Sequence, residues 1–231
     1  MEKLKQAAAY AAVEASVTSG MVVGLGTGST SSLAVTRIGE LISSGELRDI
    51  RGVPTSERTA ELAREVGIEV ISLSDADPEI TIDGADEISP SLDLIKGLGG
   101  ALLREKIVAS SGTDGLIVVA DDSKPVKALG EGPLPVEVDS FGWEATLRSL
   151  ASLGCEPTLR MDRSRPFVTD GGHYTVDCLF PTIADPGSLE IEIKSIPGAL
   201  ECGLFVRLVR EAFVARDSGS GVKVTKMRPE S

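Results

Sequence analysis

Asp83, Asp86, Glu87 and Glu105 share one short window of this chain with Lys96, Arg104 and Lys106. The window reads Ile82-Asp83-Gly84-Ala85-Asp86-Glu87, then Lys96-Gly97-Leu98-Gly99-Gly100-Ala101-Leu102-Leu103-Arg104-Glu105-Lys106. Carboxylates and cations gathered around permissive glycines suit chemistry that needs a base, an acid and a positive charge over one small anion. Asp83 ends an apolar run, and Gly84 allows a sharp turn that brings Asp86 back beside it. Two carboxylates on such a turn would handle hydroxyl protons. The same turn would also serve as a helix-capping loop or hold a divalent cation. With no histidine nearby, that cation would sit in an all-oxygen shell, which favours magnesium or calcium over zinc. Glu105 falls on the first turns of an expected helix, as a base or as one half of a surface ion pair.

An earlier loop, Gly24-Leu25-Gly26-Thr27-Gly28-Ser29-Thr30, lies between an apolar run and a helix start. Glycines let backbone amides turn inward, and a helix N-terminus adds partial positive charge, so an anion fits there. The hydroxyls of Thr27, Ser29 and Thr30 add donors. The dinucleotide fingerprint needs a third glycine where this chain has Ser29, and the nucleotide-triphosphate loop needs a Gly-Lys-Ser/Thr that is absent. A monophosphate cradle remains, with a purely structural tight turn as the alternative. Lys124 also follows an apolar run and would point into the same crevice, or into solvent. Together these motifs point to an enzyme acting on a sugar phosphate. His173, the only histidine, excludes a multi-histidine metal site and reads as a loop-surface residue.

Several elements must position these groups. Helices are expected over residues 3–17, 31–42, 56–66 and 100–110, and strands over 21–25, 50–53, 69–72, 80–83 and 116–120. Such alternation predicts an α/β fold, a doubly wound, mostly parallel, Rossmann-like sheet with loops gathered at its strands' carboxyl ends. After Gly130 the pattern changes: strands at 134–138, 157–161, 166–169 and 174–179, with helices at 142–153 and 186–196. That order suggests a second, smaller α+β domain of the split βαβ, ferredoxin-like type. The expected division is 1–131 plus 204–231 for the larger domain and 132–203 for the smaller. Residues 203–205 and 222–225 are expected to return to the large sheet.

Composition sets the limits. A chain of 231 residues with 42% hydrophobic content can bury one sizeable core or two unequal ones. Aromatics are only 3%, so Val, Ile, Leu and Ala must do the packing. A formal charge of −12 argues against nucleic acid, which needs clustered Lys and Arg. No run approaches the roughly 20 apolar residues that span a bilayer. Cys155, Cys178 and Cys202, odd in number and far apart, read as buried small hydrophobes and not as a disulfide or zinc framework. No signal peptide is recognisable at the start, and the expected setting is the cytoplasm.

Taken jointly, Gly26-Thr27-Gly28-Ser29-Thr30, Asp83-Gly84-Ala85-Asp86-Glu87, Lys96-Gly97-Leu98-Gly99-Gly100-Ala101-Leu102, Arg104-Glu105-Lys106-Ile107 and Leu134-Pro135-Val136-Glu137-Val138 resemble the ribose-5-phosphate isomerase A family. Ala120-Asp121, Ser123-Lys124 and Ile196-Pro197-Gly198 match its pattern too. The resemblance implies interconversion of ribose 5-phosphate and ribulose 5-phosphate through an enediolate, with no required cofactor or metal. It implies Glu105 as the base between C2 and C1, Asp83 and Asp86 in ring opening and hydroxyl proton transfer, and Lys96 at the enediolate oxygen. Thr27, Gly28, Ser29, Thr30, Gly84, Ala85, Gly97, Leu98, Gly99 and Lys124 would line the substrate. A homodimer or homotetramer is implied as well.

Three departures stand out: Leu98 between the glycines, which would narrow that loop; Gly171 after Asp170, where the family has Asn; and a charged run over 206–217. Other sugar-phosphate enzymes, such as an amino-sugar-phosphate deaminase or a phosphogluconolactonase, carry acid and histidine motifs not found here. A non-catalytic sugar-phosphate sensor would have no need of Glu105.

Overall fold

Apolar runs too short for helices and bounded by glycine or proline become buried strands, and the amphipathic stretches between them become helices. The structure, a computed structural model, describes residues 1–229. In chain order it begins with α1 (Glu2–Ser16), β1 (Val22–Leu25), α2 (Ser31–Ser43), β2 (Arg51–Pro54), α3 (Glu57–Glu65), β3 (Glu69–Val70) and β4 (Ile80–Asp83). Next come β5 (Glu87–Ile88), β6 (Leu94–Ile95), α4 (Leu102–Ser111), β7 (Leu116–Asp121), β8 (Leu134–Val138), α5 (Trp143–Ala151) and β9 (Glu156–Leu159). The chain continues through β10 (Met161–Asp162), β11 (Arg165–Pro166), β12 (Tyr174–Leu179) and α6 (Pro186–Lys194). It ends with β13 (Ala199–Cys202), β14 (Leu204–Phe205), β15 (Val209–Asp217) and β16 (Val222–Met227).

Contacts divide the chain into two units. The first comprises Met1–Ala85, Arg104–Lys124 and the chain from Leu208 onward; the second comprises Asp86–Leu103 and Pro125–Arg207.

The first unit is built on a seven-stranded sheet in the order β16-β15-β7-β4-β1-β2-β3. All its pairings are parallel except β15 with β16. β1, β4 and β7 are buried along their whole length, as strands of a sheet covered on both faces must be. Ala8, Ala9, Ala12 and Val13 form one buried face of α1, which packs on α2, β7 and β15. Leu25, Ile38, Ile80, Ile82 and Val119 fill the core with almost no aromatic contribution. The strand order reverses between β1 and β4, so the carboxyl ends of these two neighbours form the sheet's topological switch point.

The second unit contains a four-stranded antiparallel sheet, β13-β8-β12-β9, with α5 and α6 in its two crossovers. Counted within that sheet the order is 4-1-3-2, the split βαβ arrangement. Leu134, Val136, Val138, Leu150, Val176 and Ile193 make its core, which also takes in all three cysteines as free, buried thiols.

Some local expectations are overturned. Leu204–Phe205 does not join the large sheet; it pairs with Leu94–Ile95 in a small sheet, β14-β6-β5. The segment at 166–169 is strand only as Arg165–Pro166, with Val168 bridging to Tyr174. The charged run beyond Val206 contains β15, the longest strand of the large sheet. Its Glu211 is 3% exposed and is answered by Lys226 at 3.1 Å and Arg228 at 3.3 Å. His173 is no free surface residue: its Nδ1 lies 2.8 Å from Oε1 of buried Glu137. Among the described residues no helix is long and apolar enough to cross a membrane.

Candidate active site

In the first unit the glycine loop and Asp83 meet at the switch point. β1 delivers Gly26 and β4 delivers Asp83 to adjacent strand ends. Asp83 is 1% exposed, and its Oδ1 accepts from the Ser31 hydroxyl at 2.8 Å and the Gly84 N–H at 2.7 Å. A Cβ on Gly26 would sit 2.2 Å from the Asp83 carboxyl carbon, so only glycine lets the loop pass over that carboxylate. The loop then enters α2, whose first turn is tied back by Ser32, with both N–H and Oγ donating to Gly28 O.

The three hydroxyls of the loop have different fates. That of Thr27 turns inward to Thr55 at 2.7 Å, Ser56 at 2.8 Å and Thr59 at 3.0 Å. It locks the loop to the start of α3, so an anion would meet Thr27 through its backbone. Ser29 is exposed and accepts from Lys5 Nζ at 2.9 Å. Thr30 is the N-cap of α2 without a side-chain capping bond, contrary to the capping role its type suggests.

Glu105 lies in the first turn of α4 and is only 2% exposed. Arg104 pairs instead with Glu57, at 2.8 Å. Its burial places this carboxylate inside the unit and away from bulk water. Lys124 follows β7 and is half-buried, its N–H donating to Asp121 O at 3.2 Å.

Two residues here were given no role by the motif reading: Lys5, which lies in no motif, and Asp121, which was matched but left unassigned. Lys5 comes from α1, far from any glycine loop, and nothing in its helical stretch marks it; only the fold carries it to Ser29. Asp121 is 1% exposed, with Oδ1 accepting from Ser123 N–H at 3.0 Å and Ser123 Oγ at 2.5 Å. Burial opposes its charge, but those bonds and the nearby Lys124 and Lys5 ammonium groups hold its carboxyl below the usual carboxylate range. Asp121 thus sets negative charge among the two lysines of this unit's site.

In the second unit, residues 96–100 form a loop after β6. Lys96 is 3% exposed, its N–H donates to Gly203 O at 2.9 Å, and its ammonium lies 5.4 Å from the Phe205 ring centroid. Asp86 Oδ2 accepts from the Leu98 N–H at 3.0 Å. Leu98 is 49% exposed, so this departure puts its bulk in solvent and does not narrow the loop. The structure therefore gathers Gly26–Thr30, Asp83, Gly84 and Ser31 in one unit. Asp86 and Lys96–Gly99 gather in the other, the division falling between Ala85 and Asp86.

A family model described as ribose 5-phosphate isomerase A (phosphoriboisomerase A) matches residues 51–219. Ribose-5-phosphate isomerase A of Gloeobacter violaceus is 50% identical over 232 residues, covering 99% of both chains. Among solved structures, ribose 5-phosphate isomerase from Plasmodium falciparum superposes with a TM-score of 0.95 at 38% identity, covering 100% of both chains. Ribose 5-phosphate isomerase A of Methanocaldococcus jannaschii gives 0.90 at 40% identity, covering 98% of this chain and 99% of its own.

Proposed function

This chain belongs to the ribose 5-phosphate isomerase A family, and we propose that it interconverts ribose 5-phosphate and ribulose 5-phosphate through an enediolate with Glu105 as the base. Glu105 takes the C2 proton of the open aldose and returns it to C1. Lys96 offsets the negative charge that develops on the oxygen, a transition-state interaction of the kind that contributes most to rate. Asp83 and Asp86 move hydroxyl protons during ring opening and transfer. The loop Thr27, Gly28, Ser29 and Thr30, with Lys124, binds phosphate and sugar hydroxyls, and Gly84, Ala85, Gly97, Leu98 and Gly99 complete the substrate contacts.

One observation carries the reading: Gly26 passes over the buried carboxylate of Asp83 at the sheet's switch point. An anion cradle and a proton-handling group are thereby adjacent in the crevice where open α/β sheets take their ligands. The proposed substrate is a free sugar phosphate, and the composition, with its net charge of −12, supports neither nucleic acid nor a membrane as partner. The proposed setting is the cytoplasm, as a homodimer or homotetramer.

The test is direct. Purified protein incubated with ribose 5-phosphate is expected to generate ketose until a fixed aldose–ketose ratio is reached from either side. Binding without any ketose would sink the enzymatic reading and favour a sensor.

A further inference from the structure

We propose that Arg160 is the positioning residue of the Lys96–Gly100 loop: anchored on Asp177, its guanidinium holds the Gly97 and Leu98 carbonyls and so aims the loop's amides. The inference rests on the isomerase reading for its kinetic consequences, and on geometry alone for the clamp itself.

Arg160 follows β9, and its own backbone is fixed by its N–H donating to Thr175 O at 2.8 Å. Its Nε donates to Asp177 Oδ2 at 2.9 Å and its Nη2 to Asp177 Oδ1, a bidentate pair. The remaining nitrogen, Nη1, donates to Gly97 O at 3.0 Å and to Leu98 O at 3.2 Å. The guanidinium carbon also lies 5.8 Å from the Phe167 ring centroid. Phe167 in turn meets the loop's far end: a Cβ on Gly100 would stand 2.3 Å from its Cζ, so the backbone there presses directly on the ring. The side chains of Arg160 and Asp177 are 14% and 24% exposed, so the pair is largely withdrawn from competing water.

The consequence follows from peptide geometry. Gly97 C=O and Leu98 N–H belong to one trans peptide plane and point in opposite directions. With the carbonyl held by Arg160, the N–H is aimed away, and it reaches Asp86 Oδ2 at 3.0 Å. The next plane repeats the arrangement: Leu98 C=O faces Arg160, and Gly99 N–H is turned from it. A glycine-rich loop has many alternative peptide orientations, and the planar five-donor fork of arginine removes them. A lysine has one point-like ammonium and cannot grip Asp177 and two carbonyls at once.

The experiment uses the full chain. Wild-type isomerase activity is measured first. Arg160→Ala, checked for folding by circular dichroism, is expected to lose about 10- to 100-fold in kcat, the order that a displacement near 1 Å costs. KM should change far less, because phosphate is taken by the other loop. Added methylguanidinium should restore part of the lost rate, and Arg160→Lys and Asp177→Asn should fall between wild type and Ala. Wild-type kcat in a folded Ala variant, or a lost rate that methylguanidinium leaves unmoved, overturns the proposal. Should the Ala variant not fold, unchanged kcat in both Lys and Asn variants overturns it equally. Hydrogen exchange of the peptide spanning 96–100 reads the clamp without reference to catalysis and is expected to accelerate in Arg160→Lys. Unaltered exchange there defeats the clamp, whereas an inactive wild type defeats only the isomerase reading.

Discussion

Residues 26–30 and 97–100 are both glycine-rich loops at the ends of short strands, yet their shapes have different origins. The first is set mostly by close packing within the large sheet's unit: β1 leads in, α2 leads out, Asp83 at the end of the adjacent β4 lies directly beneath Gly26, and Thr27 is tied to the start of α3. The second receives its main polar anchor from Arg160, 63 residues away in sequence, and presses on Phe167. The first loop is therefore intolerant of added volume at Gly26. The second tolerates volume at its exposed crest but depends on polar groups that hold it from outside. A loop of this second kind is fixed by its outside anchor, which suits amides and an ammonium that must stay aimed while charge develops.

If the first unit supplies the proton transfer, its base is where the largest effect is expected. Glu105→Gln keeps size and hydrogen bonding but deletes the charge that accepts the C2 proton. Activity should fall about 10²–10⁴-fold, the usual contribution of a general base, with folding and substrate binding nearly intact. Asp83 is one carboxylate that could substitute in part, so a residual rate is compatible. The sharper readout is exchange of the substrate's C2 hydrogen with deuterated solvent. Exchange and isomerisation at near wild-type rate in the Gln variant would remove Glu105 from the role of base.

A pair of alanine substitutions tests the comparison itself. Gly26→Ala must displace the buried Asp83 carboxyl, 2.2 Å from the new Cβ, and should cost about 1–3 kcal/mol of stability by overpacking. Most activity should go with it, since Asp83 moves. Gly99→Ala places its Cβ where no atom lies within 4 Å, so stability should change by no more than about 0.5 kcal/mol. Urea titrations of both variants decide the matter. Equal destabilisation would show that the two loops are constrained alike.

The same contrast explains what could be read from the sequence. β4, β8 and β12 appear where their apolar runs and alternation place them, because each is buried by a pattern visible within a few residues. The placement of the glycine loop between β1 and α2, and of Asp83 at the end of β4, was legible for the same reason: strand, glycine, cap and helix are local signals. β5 and β6 were not, being two-residue strands with no period to detect, and β14 was read as a strand but assigned to the wrong sheet. β15 was hidden by its charges, since Glu211 lies buried in a strand and is compensated only across the hairpin by Lys226 and Arg228. Lys5 and Arg160 were illegible for a further reason. Each acts on a loop distant in sequence, and no local pattern distinguishes such a cation from a solvated one.

A smaller and more specific effect is expected at Lys124. It is half-buried, and its proposed contact with phosphate or hydroxyl exists in ground and transition states alike. Loss of such uniform binding raises KM and leaves kcat nearly unchanged. Lys124→Ala should raise KM for ribose 5-phosphate roughly tenfold, the lower end for a hydrogen bond to a charged group. A collapse of kcat at constant KM would place Lys124 in the chemical step instead, and would give the first unit a cation for the developing charge.

The smallest effect concerns the acidic turn that divides between the two units. Its composition alone left a divalent cation open, with oxygen ligands from Asp83 and Asp86. Hydrogen-bond donors now face both carboxylates: the Ser31 hydroxyl and Gly84 N–H at Asp83 Oδ1, and the Leu98 N–H at Asp86 Oδ2. Asp83 Oδ1, which accepts two donors, presents its lone pairs to hydrogen, and the positive ends of those dipoles repel a cation approaching that atom. Proton handling needs the opposite, an acceptor whose donors are hydroxyls and amides that can stay in place as the substrate's protons come and go. Turnover in excess EDTA should therefore equal turnover in magnesium, within error, after exhaustive dialysis. If EDTA abolishes the rate and magnesium alone restores it, Asp83 and Asp86 are ligands first, and the proton-transfer roles assigned to them fall.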